Sequence, residues 1–141
     1  MQNEHISFFS EAIDFTLSEK ESYSSWVDSL IQHHNKLTGE ISYIFCSDDY
    51  LLNINVEHLN HDTYTDIITF DYTHGGIVSG DIFISIDRVQ ENATTYKVEF
   101  LHELQRVMAH GILHLIGFKD KTDQEKELMR QEENTAILLF S

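Results

Sequence analysis

His110-Gly111-Ile112-Leu113-His114-Leu115-Ile116-Gly117-Phe118-Lys119-Asp120 is the stretch from which the rest of the chain is read. Its two histidines stand at i and i+4 in an apolar, helix-forming run that begins near Tyr96. Side chains at that spacing lie on one helix face, one turn apart. Two imidazoles so placed can hold one metal ion through their ring nitrogens. Gly117 suits the left-handed position that ends a helix, and the chain can then bring the Asp120 carboxylate back to the same ion. Two histidines, one carboxylate and an open fourth position form a catalytic zinc site rather than a closed structural one. His102 is the next candidate for a third ligand.

The same residues set limits. The peptidase pattern His-Glu-x-x-His needs a glutamate as general base, and Gly111 occupies that position. A glycine inside a helix costs about 1 kcal/mol relative to alanine, so Gly111 implies close approach by a neighbouring element or a substrate. Two histidines and a carboxylate also form the non-haem iron triad, which leaves an iron enzyme or another metal-dependent hydrolase open.

Outward from this helix, strands and helices alternate early and helices dominate later. His5 to Phe9 reads as a first strand. Lys20 to Leu37 reads as a helix with Trp26, Val27, Leu30, Ile31 and Leu37 at apolar spacing, ended by Gly39. His33 and His34 near that end read as surface residues. Ile41 to Cys46 reads as a buried strand, and Asp49 to His58 as a short helix capped by Ser47 or Asp48. Thr65 to Phe70 and Gly80 to Ile86 read as two further strands around a Gly75-Gly76 turn. Asp87 can cap the segment that follows, a helical stretch near Val89 to Ala93 that leads into the metal helix, from about Tyr96 to Ile116. Thr122 or Asp123 caps a last helix to about Leu139, with Glu125 in capping-box position. The expected fold is α+β: a mixed four-stranded sheet packed by about five helices, with the metal site on a long helix and the loop after it.

At 141 residues and 16.4 kDa the expectation is a single domain, residues 1–141. One cysteine, Cys46, excludes an internal disulfide framework and fits a reducing cytosol. Neither a secretory signal nor a membrane-length apolar run is visible, so a cytoplasmic protein without membrane contact is expected. The net charge of −15 is uneven: residues 1–87 hold 2 Lys/Arg and 15 Asp/Glu, and residues 88–141 hold 7 and 9. Nucleic-acid affinity comes largely from phosphate contacts, so a nucleic-acid surface must draw on the second half. Arg88, Lys97, Arg106, Lys119 and Lys121 are the candidates, although each taken singly can equally be a solvated surface charge.

Three motifs in order resemble those of the YbeY family, bacterial rRNA maturation factors that are metal-dependent endoribonucleases. His110, Gly111, Leu113, His114, Leu115 and Gly117 match its His-Gly-x-Leu-His-Leu-x-Gly-Tyr-Asp-His signature, with Phe118, Lys119 and Asp120 in the last three places. Thr65-Asp66-Ile67-Ile68-Thr69-Phe70 resembles its Thr-Asp-Val-Leu-Ser-Phe, and Gly80-Asp81-Ile82 its Gly-Asp-Ile. Met129 and Glu133 fit its C-terminal pattern. The resemblance implies a zinc ion on His110, His114 and Asp120, with Asp120 in place of a third histidine. It implies cleavage of single-stranded rRNA in maturation of the 16S 3′ end, with the small ribosomal subunit and its assembly factors as partners.

Asp66 and Asp81 are the candidate catalytic carboxylates, although Asp66 can equally cap a turn and Asp81 structure a strand start. The family's Leu-Asn-x-x-Tyr-Arg falls on Ile54 to Leu59, which puts Leu59 at an arginine tied to RNA cleavage. Leucine makes no bidentate contact with phosphate and stabilises no developing charge, so either a neighbour such as His58 or His61 substitutes or catalysis is weak. A non-catalytic assembly factor with a structural metal stays open as the alternative.

Overall fold

The computed structural model describes residues 5–59 and 64–140, with the backbone alone of Leu59. Four strands and five helices follow in the order β1 (Ile6–Glu11), α1 (Lys20–His33), β2 (Leu37–Cys46), α2 (Asp48–Leu59), β3 (Ile67–Asp71), β4 (Ile77–Ser85), α3 (Ile86–Tyr96), α4 (Phe100–Ile116) and α5 (Asp123–Leu139). The sheet order is β1-β2-β4-β3. β1 pairs parallel with β2 and β2 parallel with β4, whereas β3 runs antiparallel to β4. The expected mixed four-stranded sheet with five helices is the architecture found.

Strand side chains alternate between the two faces of the sheet. On one face Ile41, Tyr43 and Phe45 of β2 and Ile82 and Ile84 of β4 meet Trp26 and Leu30 of α1 and Leu104, Met108 and Ile112 of α4 in the main core. On the other face Cys46, Leu51 and Ile68 form a smaller cluster beside Phe70 and Phe83. Polar tips entering the core find backbone partners. The Tyr43 hydroxyl donates to the Met108 carbonyl at 3.0 Å, and the Trp26 indole N–H donates to the Ala136 carbonyl at 2.7 Å.

Several boundaries differ from the sequence reading. α1 stops at His33, and Asn35 takes the left-handed conformation with φ 62°. Leu37 therefore opens β2, and Gly39 lies inside that strand. Leu37 is exposed, so its helical spacing from Leu30 reports no shared core face. Tyr96 ends α3, and Lys97 caps it with φ 57°, so α4 begins only at Phe100. Ser85, not Asp87, caps α3: its hydroxyl accepts from the Arg88 N–H at 3.1 Å. The capping box at Thr122 and Glu125 forms as read.

α4 lies directly on β3 and β4 because Gly111 lets it. A Cβ there would stand 2.9 Å from Ile82 Cγ2 and 3.0 Å from Ile67 Cδ1. Gly117, at φ 125°, ends α4 and turns the chain toward Asp120.

Candidate metal centre

His110 and His114 project from the last two turns of α4 toward Asp120, in the loop beyond Gly117. His110 Nε2 lies 3.3 Å and His114 Nε2 3.4 Å from the same oxygen, Asp120 Oδ2. Ligand atoms at ~2.1 Å from a tetrahedral ion stand roughly 3.4 Å apart, so the spacing suits one small metal ion.

The opposite ring nitrogens are held as well. Nδ1 of His114 is 3.0 Å from the Phe118 carbonyl oxygen. A carbonyl only accepts, so Nδ1 carries the hydrogen and the Nε2 lone pair is free for a metal. Nδ1 of His110 is 2.6 Å from Glu133 Oε2 on α5, which selects the same tautomer. The donor set and its outer partners therefore fit zinc or another divalent transition metal. Among the described residues, His110, His114 and Asp120 are the group placed to hold such an ion.

Glu133 belongs to a buried charge network. Its other oxygen, Oε1, accepts from Arg106 Nη1 at 3.2 Å. Arg106 also donates from Nε to Glu103 Oε1 at 3.0 Å and from Nη2 to Glu103 Oε2. Its guanidinium lies over the Tyr96 ring, 6.0 Å from the centroid. Burial opposes the charge on Arg106, but the bonds and charges of Glu103 and Glu133 outweigh it and raise its pKa above the ordinary arginine value. The sequence alone gives Glu103 no role and ties Glu133 only to a family pattern. The available signal was a carboxylate in an apolar stripe: Glu133 lies between Met129 and Ala136 on the buried face of α5, and Glu103 lies on that of α4.

The cluster opens into a cleft of 310 Å³ between α4 and the start of β3, lined by Asp66 and Thr69 opposite His110 and His114. Asp66 is fixed by its carbonyl, which accepts the Ser85 N–H at 3.0 Å. Asp81 is placed elsewhere. A Cβ on Gly80 would meet Leu115 of α4, so its neighbour Asp81 points to the other face of the sheet, where Oδ2 lies 3.4 Å from the Tyr72 hydroxyl. Of the two candidate carboxylates, only Asp66 reaches the cleft.

Of the candidate cations only Arg106 lines it. Arg88 is tied to Asp48 at 2.7 Å, and Lys97, Lys119 and Lys121 are exposed elsewhere. The ring of His58 packs edge-on against Phe70, 6.1 Å between centroids, on the α2 side of the sheet. His61 and the Leu59 side chain lie outside the described residues. His102 is exposed beside Lys97 and Phe100, away from the cluster. His33 is exposed as expected, but His34 is half-buried, its ring 5.3 Å from that of Phe118 and its Nε2 3.4 Å from Glu132.

Residues 6–140 match the family model described as Endoribonuclease YbeY. The chain is 54% identical over 140 residues to Endoribonuclease YbeY of Christiangramia forsetii, covering 99% of this chain and 97% of that protein. It is 54% identical over 132 residues to the protein of the same name from Flavobacterium psychrophilum, covering 94% of each. Its backbone resembles a Thermotoga maritima protein solved in solution, with TM-score 0.67 at 22% identity, over 96% of this chain and 88% of that one.

Proposed function

The chain belongs to the YbeY family, and from that premise we propose that it is a metal-dependent endoribonuclease that cuts single-stranded rRNA. Maturation of the 16S 3′ end, in the cytoplasm and on the small ribosomal subunit with its assembly factors, is the setting this reading assigns. The observation that carries the metal dependence is the convergence of both Nε2 atoms on Asp120 Oδ2, at 3.3 and 3.4 Å, inside a cleft that Asp66 faces.

His110, His114 and Asp120 would hold the ion, with zinc the best fit to the donor set. Bound zinc supplies Lewis acidity toward a phosphoryl oxygen and activates water at neutral pH. The chain supplies the rest. Glu133 and the Phe118 carbonyl orient the two rings. The Asp66 carboxylate accepts the proton of the attacking oxygen on the far wall of the cleft. Thr65 and Thr69 line that wall beside it. No described helix is long and apolar enough to cross a membrane.

A second reading, an assembly factor with a structural metal, rests on Leu59 in place of the family's arginine. Incubation of the zinc-loaded protein with single-stranded and duplex rRNA fragments, with and without chelator, separates the two. Chelator-sensitive cleavage of the single strand alone is expected. Ribosome binding without any cleavage would favour the assembly reading.

A further inference from the structure

A second cavity, of 260 Å³, adjoins the metal cluster between α4 and α5. It shares Arg106, His110 and Asp120 with the cleft and adds Lys126, Arg130 and Glu133. We propose that this groove binds the phosphate backbone of the RNA strand beside the bond that is cut, through Arg106, Lys126 and Arg130.

Charge carries the inference. The chain has net charge −15 and only nine Lys/Arg, yet three of them line this one groove. Its carboxylates are already engaged. Glu133 is buried against Arg106 and His110, and Asp120 faces the two histidines. Among the described residues that line the groove, Lys126 and Arg130 are therefore positive charges that its carboxylates do not firmly offset.

Each cation has donors to give. A guanidinium has five N–H groups, and Glu103 and Glu133 take three of those on Arg106, leaving two. The anchoring of Arg106 by two carboxylates fixes those two in direction, which suits recognition of a tetrahedral anion. Lys126 makes no ion pair with the described residues. Arg130 is 61% exposed and only 3.9 Å from Glu133 Oε1, too loose a pair to hold it from a phosphate. Lys126 and Arg130 stand at i and i+4 on α5, so they follow one edge of the groove. The exposed Lys119 and Lys121 line neither cavity, which moves the backbone path from the loop after α4 to α5.

The proposal rests on the ribonuclease reading, and its test separates the two. Arg106 is buried among carboxylates, so the exposed pair carries the test. Single-stranded RNA binding by the zinc-loaded protein is followed against salt for the parent, the Lys126→Gln/Arg130→Gln variant and a Lys20→Gln/Lys36→Gln control of equal charge change. Each phosphate contact contributes a slope of about 0.7 for a single strand, so the groove variant should lose about 1.4 in slope. The control should keep the parent's slope, and all three should bind zinc equally. Cleavage by the parent with the same slope in both variants would overturn the groove and leave the ribonuclease reading standing. A parent that neither binds nor cuts RNA would overturn both.

Discussion

Glu133 on α5 holds His110 on α4 through a 2.6 Å contact between Oε2 and Nδ1, so the geometry of one metal ligand depends on a second helix. That helix is itself fixed by the Thr122 capping box and by the Trp26 bond to Ala136. The metal centre is therefore a property of the packed α4–α5 pair, not of the His-x-x-x-His segment alone.

Glu133→Gln should weaken zinc binding. Loss of an outer-shell partner of a ligating histidine costs typically 10- to 100-fold in affinity, while the Glu103 contacts to Arg106 remain. Competition with a chromophoric chelator measures it. Unchanged affinity would show that the contact does not orient the ring.

At Asp120 the expected outcomes divide by substitution. Asp120→His offers another zinc donor and should retain or tighten binding, whereas Asp120→Ala removes one donor and should weaken it clearly. Zinc titration of both variants by calorimetry reads this directly. Full affinity in Asp120→Ala would place the third ligand elsewhere.

Gly111→Ala should destabilise the fold even though alanine favours the helix by about 1 kcal/mol. The added Cβ meets Ile82 and Ile67 at 2.9 and 3.0 Å, and overpacking of this kind costs typically 1–3 kcal/mol. Thermal unfolding of parent and variant decides the sign. A higher melting temperature in the variant would mean that the sheet yields to the methyl group.

This position shows what was legible in advance and what was not. The His110–His114 spacing, Gly117 and Asp120 lie within eleven consecutive residues, so local geometry places them together. The mid-helix cost of Gly111 pointed to a close neighbour, but not to Ile82 and Ile67, because strand order is set by pairings distant in sequence. Glu133 meets His110 across 23 positions, which no local period reports. Asp66 and Asp81 are alike as sequence signals, and only the alternation of β4 across the sheet sends Asp81 to the opposite face. Leu37 failed as a helical residue because spacing alone cannot distinguish a buried leucine from an exposed one.

Alkali should destabilise the protein through Cys46 and Tyr43. Burial pushes the Cys46 thiol from 9.0 up to about 12, with Asp87 and Asp48 adding to it, and burial likewise raises the Tyr43 phenol. A raised pKa favours the folded state while the group stays protonated, and that contribution is lost as pH climbs from about 9 toward about 12. Denaturant midpoints measured across this range should fall. At pH 8 the thiol should resist alkylation when folded and react once unfolded, and rapid labelling of the folded protein would contradict its burial.

The most direct test of the metal centre is anomalous scattering at the zinc edge from crystals of the zinc-loaded protein. One peak is expected within bonding distance of His110 Nε2, His114 Nε2 and Asp120 Oδ2, with both Nδ1 atoms turned away toward Glu133 and the Phe118 carbonyl. A peak at another group of residues, or none at full zinc loading, would contradict it.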